Sequence, residues 1–220
     1  MKNVLLTFLV LTLINYATAQ IKVACVGNSI TYGAGIEERD SLAYPPQLQR
    51  ILGSEWLVEN FGRSGATLLR NGNLPYWDQP EFEQAKSFGA DVVIIMLGTN
   101  DSKPMNWEPY KGEYVKDYHD LIGTFRAINP EVTVFICFPI PVVETKWGID
   151  KQVMEEEIPL ILQSIAKSEK VKTIDLYIPL EHHLDLIPDK IHPDAAGSKI
   201  MATEVAETLL KNKKRILKKM

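Results

Sequence analysis

Ser29 follows the apolar run 21–26 with two residues between, in the stretch Gly27-Asn28-Ser29-Ile30-Thr31. Far downstream, Asp189-Lys190-Ile191-His192-Pro193 places a carboxylate three residues ahead of an imidazole. A serine hydroxyl is a poor nucleophile until a base takes its proton and a third group orients that base. His192 precedes a proline suited to the first position of a helix, so it is expected on a loop, where its charge can answer to a partner. Asp189 is close enough in a turn to receive one imidazole N–H. Two further stretches offer groups for a developing oxyanion: the glycine backbone of Asn60-Phe61-Gly62-Arg63-Ser64-Gly65, and the Asn100 amide in Gly98-Thr99-Asn100-Asp101. Asp101 is suited to holding its loop by accepting backbone N–H groups.

Each piece also has an ordinary reading. Ser29 can cap a turn, the glycines can serve a tight bend, and Thr99-Asn100-Asp101 is a common turn sequence. Thr31 breaks the G-x-S-x-G pattern of the larger α/β-hydrolases. Neither a G-x-G-x-x-G fingerprint nor a Walker lysine follows the first apolar run, which argues against phosphate binding.

The elements that must position these residues alternate along the chain. Short apolar runs predict strands over 21–26, about 56–60, 91–97, 132–138 and 171–175. Helical patterns fall over about 42–53, 81–87, 110–128, 150–168 and 194–212, with a loop-rich region up to about 80. Continuous apolar strands suit a sheet buried on both faces, and alternation with helices predicts a parallel α/β sheet. Ligands of such sheets bind beyond the carboxyl ends of the strands, where Ser29, Gly65 and Asn100 all fall.

Composition narrows the setting. Lys2, the apolar run 4–14 and Ala17-Thr18-Ala19 read as a cleaved signal peptide over residues 1–19, followed by a single domain over 20–220. The apolar run is too short to span a bilayer, and the mature chain is expected to have no membrane span. Export, to the periplasm or beyond the cell, is the expected localisation. Loss of Lys2 moves the net charge from −4 to about −5, which gives no electrostatic case for nucleic acid. The basic run 211–219 reads as a solvated helix end. Cys25 and Cys137 lie inside strand patterns and read as free core thiols, and no zinc-ligand spacing is present.

In their order, the four stretches resemble the signature blocks of the SGNH hydrolase family, also called GDSL esterases and lipases. The resemblance covers about residues 21–210. It implies a three-layer α/β/α fold of flavodoxin-like type with a mostly parallel five-stranded sheet. It also implies Ser29 as nucleophile, His192 as base and Asp189 as the carboxylate that orients it. Ser29, through its backbone N–H, Gly65 and Asn100 would form the oxyanion hole, with no metal and no cofactor. One departure is Asn28, where the family usually has aspartate.

The implied reaction is ester hydrolysis through an acyl-serine. Within the family the chain is similar to exported bacterial carbohydrate O-acetylesterases, including the sialate type, which makes a glycan or small-molecule ester the expected partner. Arg63 and Lys103 are candidates to meet a substrate carboxylate. Tyr76, Trp77 and Trp107 are candidates to stack on a sugar; the two tryptophans can equally pack their loops onto the domain. Two other functions stay open on these residues: an esterase of longer acyl chains, of lysophospholipase or thioesterase type, and a non-catalytic carbohydrate-binding protein on the same fold.

Overall fold

The computed structural model describes residues 20–220, so the expected signal peptide lies outside the described residues. Strands β1 (Ile21–Gly27), β2 (Trp56–Gly62), β3 (Val92–Met96), β4 (Thr133–Phe138) and β5 (Lys172–Asp175) form one sheet in the order β2-β1-β3-β4-β5. Every neighbouring pair is parallel, so the sheet expected to be mostly parallel is wholly so. The order reverses between β1 and β3, which creates a crevice at their carboxyl ends.

Helices cover both faces. They are α1 (Ser29–Tyr32), α2 (Arg39–Leu42), α3 (Tyr44–Leu52), α4 (Pro80–Phe88), α5 (Pro104–Tyr110), α6 (Tyr114–Ile128), α7 (Ile158–Glu169), α8 (Ile178–Glu181) and α9 (Ala195–Leu217). Strand side chains alternate between two cores, as the period of two requires. Val93 and Ile95 join one core with Phe82 of α4, Tyr118 and Leu121 of α6, and Leu162 of α7. Val92, Ile94 and Met96 join the other with Leu48 of α3 and Met201, Val205 and Leu209 of α9. Each such fully buried aliphatic side chain stabilises the fold by roughly 1.5–3 kcal/mol relative to exposure. Cys25 and Cys137 lie in the second core as free thiols. Burial pushes the Cys25 thiol up to about 12 and that of Cys137 up as well.

Three boundaries differ from the sequence reading. Residues 104–110, expected as loop, form α5, opened by Pro104, whose missing N–H costs nothing there. The helix expected from 150 contains a π turn, Val153–Glu157, just ahead of Pro159. Pro159 has no N–H to offer the preceding turn, and the ladder loosens where that bond is missing. Helix α9 runs on to Leu217, because Ile216 is buried on the same stripe as Leu209. The basic residues around it had disguised that stripe.

Candidate active site

Ser29 is set at the end of β1 by two glycines that face each other in register, Gly27 and Gly62. A Cβ on Gly27 would fall 2.0 Å from Thr31 Oγ1, and one on Gly62 only 2.2 Å from the Tyr32 nitrogen. Both positions must therefore be bare for α1 to tuck over the strand ends. Asn28 caps α1, its Oδ1 accepting the Ile30 N–H at 3.0 Å. The rest of its amide is buried, and Nδ2 finds no acceptor among the described residues. Ser29 itself is buried.

His192 arrives from the other end of the chain. Its Nε2 lies 2.8 Å from Ser29 Oγ, and its Nδ1 lies 2.7 Å from Asp189 Oδ2. The second Asp189 oxygen accepts the backbone N–H groups of Ile191 at 2.9 Å and His192 at 2.7 Å. Lys190, between them, takes a left-handed conformation with φ of 81°, which folds the loop tightly enough for one carboxylate to hold both N–H groups and the ring. Partial burial pushes the Asp189 carboxyl up, but these hydrogen bonds outweigh it and hold the group below the usual carboxylate range. An ionised Asp189 can only accept, so Nδ1 donates to it and Nε2 is left as the acceptor of the serine proton. Two residues on, Asp194 caps α9 by accepting the N–H groups of Ala196 and Gly197, which ties the histidine loop to a long, core-packed helix.

The other two strand ends supply donors. Gly65 has φ of 84°, a conformation natural to glycine, and its N–H finds no acceptor among the described residues. Asn100 is buried and donates one amide hydrogen to Ala66 O at 3.1 Å, leaving its second hydrogen uncommitted. Because β1, β2 and β3 pair in register at their ends, Ser29, Gly65 and Asn100 start from one level of the sheet.

The loop after β2, residues 63–79, is fastened by side chains from elsewhere. Asp101 accepts Leu68 N–H at 3.0 Å and Leu69 N–H at 2.7 Å, and Asp117 of α6 accepts Arg70 N–H at 2.9 Å. Asn106 of α5 accepts Asn73 N–H at 2.9 Å while donating to Asn100 O at 2.8 Å, and so joins the Gly65 loop to the Asn100 loop. Burial pushes the fully enclosed Asp101 carboxyl up to about 6, against the opposing pull of the Leu69 and Leu68 N–H groups. Asp101 does accept backbone N–H groups, but those of the loop after β2 rather than of the loop it was expected to hold. Asn106 and Asp117 were not picked out from sequence, since one lies in a segment read as loop and the other on the buried face of a helix.

The three aromatic residues expected to contact substrate need correction. Tyr76 is fully buried, with its hydroxyl on Phe61 O at 2.7 Å, and has no face to offer a sugar. Trp107 is buried too, edge-on to Tyr114, its Nε1 donating to Glu157 at 3.1 Å. Trp77 donates to Leu68 O at 2.6 Å and carries the Arg70 guanidinium 3.5 Å above its ring, so it packs its own loop. Arg63 is turned towards Glu81 of α4, 3.6 Å away. Lys103 is half-buried, and desolvation lowers its pKa; no carboxylate among the described residues pairs with it. The aromatic ring beside the catalytic-type pair is one that sequence did not single out: Trp147, whose ring centre lies 5.7 Å from that of His192.

Comparison with known proteins agrees with this geometry. A model of the GDSL-like lipase/acylhydrolase family matches residues 25–200. An acetylxylan esterase from Xylanibacter ruminicola is 38% identical over 210 residues, covering 86% of this chain and 43% of that protein. The chain thus spans less than half the length of that curated relative. Among solved structures, an aryl esterase from M. smegmatis superposes with a TM-score of 0.69 at 19% identity, over 88% of this chain and 99% of that one. A carbohydrate acetylesterase from Sinorhizobium meliloti does so with a TM-score of 0.69 at 20% identity, over 87% and 99% of the two chains. Both share the fold. Matched from β1 into α9, the chain belongs to the GDSL-like lipase/acylhydrolase family, the SGNH hydrolases.

Proposed function

We propose that the protein is a carbohydrate O-acetylesterase that works through an acetyl-serine. The observation that carries this reading is the unbroken hydrogen-bonded chain Asp189–His192–Ser29, with 2.7 and 2.8 Å links. The likeness to an acetylxylan esterase supports acetylated plant polysaccharide as the substrate class. Ser29 Oγ attacks the acetyl carbonyl as His192 Nε2 takes its proton. The oxyanion that forms is met by the N–H groups of Ser29 and Gly65 and the free Asn100 amide hydrogen. His192 then gives the proton to the departing sugar oxygen as the ester bond to the sugar breaks, leaving an acetyl group esterified to Ser29 Oγ. A water molecule, deprotonated by His192, attacks the acyl carbon, and collapse releases acetate and restores the serine.

The test is release of acetate from acetylated xylo-oligosaccharides. Ser29→Ala should lower kcat by a factor on the order of 10⁴ or more while leaving the fold intact. Near-normal turnover in that variant would remove Ser29 as the nucleophile. Turnover of long-chain esters in preference to acetyl esters would move the substrate to lipids.

A further inference from the structure

Lys146-Trp147-Gly148-Ile149 is a tight turn in the loop after β4, closed by Ile149 N–H on Lys146 O at 2.9 Å. Its two central residues both have positive φ, 52° at Trp147 and 79° at Gly148. That is the backbone of a type I′ turn, whose first central position belongs by preference to asparagine, aspartate or glycine. A bulky side chain there is an outlier. The described residues contain two other positive-φ side chains, and each has a local reason: Lys170 ends α7, and Lys190 shapes the Asp189 loop. At Trp147 the strain gains no core packing in return. The indole is 57% exposed, although a ring of this kind ordinarily buries its faces. Beside it lie the His192 ring, tilted by 34°, and the Lys146 ammonium, 4.9 Å from the ring centre. Backbone strain held in place without a packing gain is a feature of ligand-contacting loops.

The position beside His192 limits what the indole can meet. The leaving oxygen of the ester must come within hydrogen-bond reach of His192 Nε2 to receive its proton. Whatever group carries that oxygen is therefore brought alongside Trp147. A pyranose presents a flat array of C–H groups that suits the exposed face of an indole, and its hydroxyls suit the neighbouring ammonium groups. One of these is Lys103, whose stem lies under the turn; a Cβ on Gly148 would touch its Cγ at 3.6 Å. We propose that Trp147 is the stacking platform for the departing sugar, and so the residue that makes sugar acetates better substrates than acetates of simple alcohols. This inference rests on the carbohydrate acetylesterase reading above.

The experiment compares wild type, Trp147→Asn and Trp147→Phe on acetylated xylo-oligosaccharides and on ethyl acetate, with Tm measured for each. Asparagine suits the turn, so Trp147→Asn should hold its fold with Tm about 2–4 °C higher. Its kcat/KM should fall about tenfold or more on the oligosaccharide, mainly through KM, and stay within twofold on ethyl acetate. Trp147→Phe, which keeps an aromatic face, should recover most of the loss. Equal losses on both substrates would overturn the platform and leave Trp147 as a support for His192; no loss on either would overturn it outright. A wild type that cleaves ethyl acetate but no acetylated sugar would instead overturn the carbohydrate reading, and the platform with it.

Discussion

The loop after β2 and the loop after β4 border the same serine–histidine pair, yet they are held in opposite ways. Residues 63–79 have backbone N–H groups taken up by Asp101, Asp117 and Asn106, three side chains from other parts of the chain, all fully enclosed or nearly so. Their aromatic residues, Tyr76 and Trp77, turn inwards and are tied to carbonyls. Residues 139–152 are secured by fewer bonds from distant parts of the chain, Val143 N–H to Lys190 O at 3.0 Å and Asp150 N–H to Ser102 Oγ at 3.1 Å among them, and their aromatic residue points out. The contrast matches what each side of the proposed reaction requires. Donors to a developing oxyanion act best when they are already in place and need not reorganise. A surface that receives a sugar has only to be present.

Breaking the fastened loop should have the largest effect. Asp101→Ala strips the acceptors from two buried N–H groups, at about 1–3 kcal/mol each. Calorimetry should show Tm lower by roughly 5–15 °C, and acetate release should fall at least tenfold as Gly65 loses its support. An unchanged Tm would mean that the loop is held by something else.

The same carboxyl should give a pH signature. With its pKa raised to about 6 in the folded chain, Asp101 holds its proton more tightly folded than unfolded. Its contribution to stability is thus fully present below about pH 4 and is lost as pH rises through about 6, a change on the order of 3 kcal/mol. Asp189, whose pKa is lowered, acts in the opposite sense and loses its contribution on acidification. Denaturant titrations of wild type against Asp101→Asn should show the difference between them falling from pH 4 to 6 and level above 7. A difference that rises across that window would contradict the burial argument.

Asn106→Ala should cost less, about 1–2 kcal/mol, with kcat down severalfold and KM little changed, since it joins the two donor loops without lying on the substrate path. A shift in KM alone would place Asn106 among substrate contacts. On the loosely held side, the Trp147 variants should cost no stability, with Trp147→Asn slightly more stable, and should lower only sugar turnover, the smallest structural effect of the series.

The fold was legible because its strands are buried on both faces and read as unbroken apolar runs, as in Val92–Met96. Ser29 and His192 stood out because one follows closely on a strand end and the other sits on a loop just ahead of the last helix, although that helix is capped by Asp194 and Pro193 lies outside it. That Asp101 accepts backbone N–H groups could be read from its place in a turn, but not that they belong to the loop after β2. The aromatic residues were not. Tyr76, Trp77 and Trp107 have the same chemistry whether they meet a ligand or a core, and only the packing of α4, α5 and α6 decides between the two. Trp147 escaped notice because its signal is a backbone angle, and a Trp-Gly pair does not announce a type I′ turn.

The two enclosed thiols have a consequence for the history of each molecule. With the Cys25 thiol pushed up to about 12, only about one folded chain in 10⁵ carries that thiolate at pH 7. Oxidants and alkylating agents attack thiolates they can reach, and here they reach none until β1 and β4 part from their neighbours. A chain found modified at Cys25 or Cys137 has therefore been open at some earlier moment, even if it has since refolded. The sheet carries its own tamper seal.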